Sequence, residues 1–378
     1  MLNMKKLLFL AGLFLVNFSL TFAQIKTIKA NSKTVAIRDG DNYNENAWTI
    51  SPEINPDIFT TPSKGKYVTF YTDLDSIKVE ITPTTLFNFI IMLHDSIKAL
   101  TQIKYVPSYL DKLKQAERYN FDDNRPIPKF EYQDKNDPNL VILRKELKLD
   151  SIAGTGNEEL KIINLLHWIH NLIPHDGNHD NPTVKNAMSM IKECKRDVRG
   201  LNCRGLATVL NECYLSLGIK SRFVTCMPKD TIFDDCHVIN MVYLENKKKW
   251  IWIDPTNNAY VMNENGELLS IQEVRERLVT DQPLILNPDA NWNNKSTITK
   301  EQYLYNYMAK NLYRIESPIK SEYNFETWEE GKKVAYVELL PLDGYKQSPD
   351  KRVQKNEKTG TTFTNYKTNN PAIFWQIP

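Results

Sequence analysis

The chain has 378 residues, with 48 Lys and Arg against 46 Asp and Glu, 41% apolar and 11% aromatic residues. This near-neutral balance excludes the basic surface that nucleic acid or an acidic membrane demands, so neither is an expected partner. Length and apolar share suit about two domains with a sizeable buried core.

Residues 1–23 read as a secretory signal peptide. Lys5 and Lys6 precede an apolar stretch from Leu7 to Leu20, and Thr21-Phe22-Ala23 sets small residues three and one positions before a cut at Gln24. The stretch is short for a membrane span, no cysteine follows it to carry a lipid, and no later segment is apolar enough to cross a bilayer. The expected product is exported, periplasmic or secreted. The signal contains two lysines and no acid, so what remains carries no net charge.

Residues 24–105 read as a β-sandwich-like accessory module. Lys66–Thr72 is rich in β-formers, Ile77, Val79 and Ile81 alternate with Lys78 and Glu80, and two apolar runs flank a turn at His94-Asp95-Ser96. Residues 106–137, with Pro107, Pro126 and Pro128, read as a linker or surface loops. From 138 to 378 the period changes. Pro138 opens one helix, and Asn157 caps a longer one that ends at Pro174. Further helices are expected over Asn186–Lys195 and Cys203–Leu217, the latter stopped by Gly218. Strands follow at Ile219–Cys226, Cys236–Leu244 and Trp250–Ile253. Ser270 with Glu273, and Thr299 with Gln302, are capping boxes for later helices.

The five cysteines, Cys194, Cys203, Cys213, Cys226 and Cys236, lie in one short region, and an odd number leaves at least one unpaired. Cys226 and Cys236 flank one loop and read equally as a disulfide or as two buried thiols. Cys203 stands at a helix start, where unpaired amides and a positive partial charge favour a thiolate. His237 opens a following strand and can take and return a proton. Asp254 ends the next strand and can hold the second ring nitrogen. Nucleophile, base and orienting acid thus fall on three consecutive elements.

At these residues the sequence resembles the transglutaminase-like superfamily, over roughly Asn157 to Tyr260. The likeness rests on "LHWIHNLIPHDG", "LNCRGLATVLNECYLSLGIKSRFVTC" and "DCHVINMVYLENKKKWIWIDPT". It implies an α+β, papain-like core in which a helix-start cysteine packs on an antiparallel sheet, with Cys203, His237 and Asp254 as catalytic triad. The all-β module stands N-terminal to that core. Two departures stand out: Asn202 occupies a position often held by Gly, and "HVINM" lacks an aromatic wall beside His237. Arg204 and Asn202 adjoin the nucleophile as substrate-binding candidates or helix-cap residues, and His175 and Asp176 are expected along the cleft. His167, His170, His175 and His179 match no standard zinc spacing, so no metal is expected. No calcium-binding motif is seen, and no cofactor is called for. The backbone N–H of Cys203 is one expected oxyanion donor; no residue is assigned as the second.

The expected function is an exported thiol enzyme forming an acyl-enzyme on peptide or amide substrates, as a protease or amidase or by transglutaminase-type transfer. Its substrate would be a peptide, a protein or a peptidoglycan-like polymer. The alternative is a non-catalytic protein that holds a peptide or glycan in a transglutaminase-like cleft.

Overall fold

Period-two alternation in the first hundred residues yields eight strands in the computed structural model, which describes residues 25–233, 235–343 and 351–378. The expected signal peptide lies outside them. The strands are β1 (Lys26–Ala30), β2 (Thr34–Asp39), β3 (Asn42–Thr49), β4 (Asp57–Thr61), β5 (Tyr67–Tyr71), β6 (Ser76–Glu80), β7 (Leu86–Leu93) and β8 (Ile97–Tyr105). They form two sheets, ordered β1-β7-β8-β4 and β3-β2-β5-β6. The inward side chains, Phe89 and Ile91 from one sheet and Val35, Val68 and Phe70 from the other, share one core. The expected antiparallel pairing is corrected at two edges, where β1 joins β7 and β4 joins β8 in parallel. Each of these edge strands is linked to its neighbour in sequence across the two sheets, so no hairpin dictates its direction.

The chain parts at Pro107, and a second compact unit begins at Ser108. The stretch 106–137, expected as a linker, is part of that unit from Ser108 on. Ser108 and Asp111 form a capping box for α1 (Tyr109–Lys114), whose Leu113 is buried in the unit's core. β9 (Glu131–Tyr132) later pairs with β18 (Lys320–Ser321).

Helices α2 (Pro138–Glu146), α4 (Glu158–Leu172), α5 (Ala187–Asp197) and α6 (Cys203–Ser216) follow in the expected order, and a short α3 (Leu149–Ala153), not expected from the sequence, lies between α2 and α4. Next come β10 (Ser221–Met227), β11 (His237–Leu244) and β12 (Lys249–Ile253). Beyond them lie the pair β13 (Val261–Met262) and β14 (Ile285–Leu286), with α7 (Ile271–Val279) between, and the hairpin β15 (Asn291–Trp292) and β16 (Ser296–Thr297). The helix expected after Thr299 is a π-helical segment, Glu301–Met308, that runs into α8 (Ala309–Asn311). Finally β17 (Arg314–Pro318), β19 (Lys333–Leu339), β20 (Arg352–Lys355) and β21 (Thr362–Thr368) precede α9 (Pro371–Phe374).

The main sheet runs β12-β11-β10-β17-β19-β21-β20. It is antiparallel as expected, except that β19 and β21 pair in parallel. Helix α6 is the unit's axis: every residue from Gly205 to Ser216 is buried. Leu206, Val209, Leu210 and Cys213 share a core with Val242, Leu244, Ile251 and Ile253 of β11 and β12. The Asn240 amide donates to the Ala207 carbonyl at 2.9 Å, which fixes the start of the helix against β11.

Glu212 of α6 is fully buried and accepts the N–H of Ala187 at 2.7 Å and of Asn324 at 2.9 Å. Burial raises its pKa from 4.5 to about 8, against the pull of those amides and of Lys332. The folded chain therefore keeps a proton that the unfolded chain releases, and stability falls as pH rises from 4.5 to about 8. Glu212→Gln should lose stability at acid pH by mispairing one amide, but should lack this slope. Urea unfolding at about pH 5 and about pH 8 should show the gap between the two proteins narrowing by roughly a few kcal/mol. A gap independent of pH would contradict this account.

Candidate active site

Asn202 stands at the helix start in an extended conformation that needs no glycine, with φ −73°. Its Oδ1 accepts the Gly205 N–H at 3.1 Å, and the Asn181 amide braces it by donating to Oδ1 and accepting the Asn202 N–H. The thiol of half-buried Cys203 thus sits on a first turn capped at the Gly205 N–H. Burial raises its pKa. Hydrogen bonds from His175 and His237, the charge on His237 and the Val238 N–H outweigh that effect and bring it down to about 6.

His237, the first residue of β11, is 2% exposed. Its Nε2 bonds Asp254 Oδ2 at 2.7 Å, which leaves Nδ1 for the thiol. Burial alone would lower the pKa of the ring; the charges and hydrogen bonds of Asp254 and Cys203 lift it to about 10. The two shifts run in opposite directions, each partner being a cause of the other's, and both favour a thiolate–imidazolium pair. Asp254 is wholly buried, and burial would raise its pKa, but His237 and several donors hold it below the ordinary carboxylate value. Oδ2 accepts from Tyr303 Oη at 2.5 Å and Asn257 Nδ2 at 2.9 Å, and Oδ1 accepts the Thr256 and Asn257 amides at 2.9 and 3.3 Å. Tyr303 is oriented in turn by the Trp252 indole N–H at 3.2 Å. The three sequence candidates are thus brought together, buried behind a single reachable sulfur.

The cleft over them has a volume of about 570 Å³. His175, Gly177, Trp292, Ile298 and Tyr307 are among the residues that line it. The aromatic wall missing from "HVINM" is supplied by Tyr307, whose ring centroid lies 5.3 Å from that of His237. His175 is held beside Cys203 by backbone pairing: Leu201 N–H donates to Pro174 O and Asp176 N–H to Leu201 O, at 3.1 and 2.8 Å. Trp292 Nε1–H donates to His175 Nδ1 at 3.2 Å. An indole can only donate, so the neutral His175 ring carries its proton on Nε2, the nitrogen left for Cys203.

Other expectations fare differently. Asp176 is no wall of the cleft: its carboxylate turns to His179 at 2.7 Å and to the Asn178 amide. Arg204 lines the cleft, but its guanidinium is engaged with Glu326 through two nitrogens and with Thr225 at 3.1 Å. His170 spans Pro255 O and Asn291 Oδ1 at 3.0 and 2.9 Å, pinning the loop after Asp254, and His167 pairs with Asp289. Among the described residues no group of three or more His, Cys, Asp or Glu side chains is set to hold a metal ion. Cys226 and Cys236 are free, with burial raising both thiols, Cys236 to about 11.

Sequence reasoning missed Tyr303, Trp292, Tyr307 and Asn257. Only Asn257 had a local signal, three residues after Asp254 in a turn.

A Cβ at Gly200 would lie 2.4 Å from the Pro174 carbonyl oxygen, closer than any side chain tolerates. Gly200→Ala should therefore displace the 174–176 segment and move His175 from the thiol while leaving the His237–Asp254 bond in place. Alkylation kinetics across pH should show a Cys203 midpoint raised above that of the parent protein. An unchanged midpoint would mean that His175 does not act on the thiol.

Residues 145–255 match the family model "Transglutaminase-like superfamily". No curated protein sequence matches the chain. Among solved structures, the chain is similar to a "putative cysteine protease" from Cytophaga hutchinsonii (21% identity, TM-score 0.26), with 34% of this chain and 40% of that one covered. It is also similar to a "putative protease" from Parabacteroides distasonis (18%, 0.21), covering 32% of this chain and 27% of that one. A third is red sea bream transglutaminase (10%, 0.22), covering 62% of this chain and 49% of that one. The chain spans less than half the length of each of these proteins. The segment that carries the helix-start cysteine, His237 and Asp254 is a transglutaminase-like domain.

Proposed function

We propose that this protein is an exported thiol hydrolase that cleaves amide bonds of peptide-like substrates through a thioester on Cys203. The observation that carries this reading is the buried chain Trp252, Tyr303, Asp254, His237, which ends on a thiol shifted down to about 6. A binding cleft needs no such chain, because a lowered thiol pKa does nothing for affinity. The leader read in residues 1–23 supports export, and no helix among the described residues is long and apolar enough to cross a membrane.

In the proposed sequence the Cys203 thiolate attacks the carbonyl carbon, forming a C–S bond as the carbonyl electron pair moves to oxygen. That oxyanion is received by the Cys203 backbone N–H and by His175 Nε2–H, whose position Trp292 sets. His237 then gives its Nδ1 proton to the leaving nitrogen as the C–N bond breaks. Water then loses a proton to His237 Nδ1 as it attacks the thioester carbon, and the C–S bond breaks to release the acid, restoring the thiolate–imidazolium pair. Asp254 keeps its charge throughout and steadies the ring.

The test is mass spectrometry of the purified chain incubated with p-nitrophenyl acetate as acyl donor. A mass gain on Cys203, lost on standing in water and absent in Cys203→Ala, is expected. His175→Phe should label with iodoacetamide but turn over about a hundredfold more slowly, the effect of one oxyanion donor. Trp292→Phe should lower turnover in the same sense. Failure of the wild type to acylate, with the thiol intact, would leave the non-catalytic cleft as the better account.

A further inference from the structure

The outer face of the β3-β2-β5-β6 sheet carries a pattern that the proposed chemistry does not use. Register sets Tyr43, Arg38, Thr69 and Lys78 in one row across the four strands. Tyr67 and Tyr71 lie two residues either side of Thr69 on the same face of β5, roughly 13 Å apart at the usual strand rise. The inward positions Val68, Phe70, Ile77 and Val79 fill the sandwich core, so the alternate positions are obliged to face out. Three tyrosines nevertheless stay open to solvent, at 49% for Tyr43, 46% for Tyr67 and 37% for Tyr71, while Thr69 between them is 6% exposed. The face is thus a shallow cradle with Thr69 as floor, part of a cleft of about 550 Å³.

The charges on this face are unbalanced. Lys66 is paired with Asp41 at one end of the cleft. Arg38 and Lys78, on either side of Thr69, make no direct ion pair among the described residues, although Arg38 also acts on the Asp41 carboxylate at the cleft end. Instead Arg38 lies over the Tyr43 ring at 5.1 Å and Lys78 over the Tyr67 ring at 4.1 Å. Glu80, opposite Tyr67, is the acid nearest along β6. The rings and cations hold one another in place, a low-entropy arrangement ready for a flat ligand with negative charge. No Leu, Ile, Val or Met side chain lies on the outer rows of these strands, whose burial pattern turns every one of them inward. That argues against a bilayer or an apolar protein surface as the occupant. Two cations without a direct ion pair are too few for nucleic acid.

We propose that this face binds a carboxylate-bearing polysaccharide, with one sugar ring over Thr69 between Tyr67 and Tyr71 and its carboxylate on Arg38 or Lys78. Sugar rings present C–H faces that stack on tyrosine, and guanidinium or ammonium groups pair with uronate oxygens.

Affinity electrophoresis of the full chain through gels containing polygalacturonate or neutral dextran tests it. Retardation by polygalacturonate and not by dextran is expected, and should weaken as salt is raised from about 0.05 to about 0.5 M. Lys78→Gln and Arg38→Gln should each weaken retention about tenfold, and Tyr71→Ala at least as much. Circular dichroism would confirm that each variant keeps its strands. Because Cys203→Ala leaves this face untouched, it should be retained like the wild type, so the outcome is independent of the hydrolase reading. Equal retardation by dextran, none by either polymer, or variants that bind like the wild type would each overturn the proposal.

Discussion

The second unit is organised around one buried carboxylate. Removing Asp254 from water costs several kcal/mol unless its oxygens are occupied, and here four donors and an imidazolium occupy them. Each donor comes from a different commitment of the fold. His237 requires β11 to lie beside β12, and the Thr256 and Asn257 amides require the chain to turn immediately after the strand. Tyr303 requires the π-helical segment to return 49 residues later. The same set explains why the charge survives burial and why His237 keeps a proton well above its ordinary range. A carboxylate held this way can polarise one ring nitrogen only, so the other is directed at the sulfur.

The helix end is built with equal economy of freedom. Asn202 and Asn181 fill the capping positions, Asn240 ties the first turn to β11, and Arg204 is locked between Glu326, Thr225 and the Phe223 and Tyr336 rings. Cys203 is thereby the mobile-chemistry atom on an immobile frame. His175 approaches on a strand-like segment whose closeness to Leu201 depends on the absence of a side chain at Gly200. Two imidazoles of different character thus flank one sulfur: a charged ring set by Asp254, and a ring whose tautomer is set by Trp292.

Much of this was legible in the sequence because the signals were local. A polar cap before an apolar helix, a histidine opening one strand and an aspartate closing the next are all readable within a few residues of each site. The helices α2, α4, α5 and α6 and strands β10 to β12 followed from periodicity and from Pro138, Pro174 and Gly218, whereas the five-residue α3 is too short to show a period. What stayed hidden depended on distance. Nothing near Trp292 or Tyr303 marks them as partners of His175 and Asp254. The four histidines looked like a cluster in sequence, yet His167, His170 and His179 each serve a separate loop contact. Residues 106–137 read as a linker because prolines interrupt any period, although Leu113, Ile127 and Phe130 pack into the second unit's core. The parallel pairings of β1, β4 and β19 had no signature, since alternation sets which face a residue takes but not which way its neighbour runs.

The central claim is that folding alone, without substrate, sets a thiolate–imidazolium pair at Cys203 and His237. Its most direct measurement is the pH dependence of iodoacetamide alkylation at Cys203 in the wild type and in His237→Ala. The account predicts a wild-type midpoint of about 6. It also predicts a shift toward the free-thiol value of about 8.5 once the imidazolium is removed. Superimposable curves for the two proteins, both centred near that free-thiol value, would contradict it.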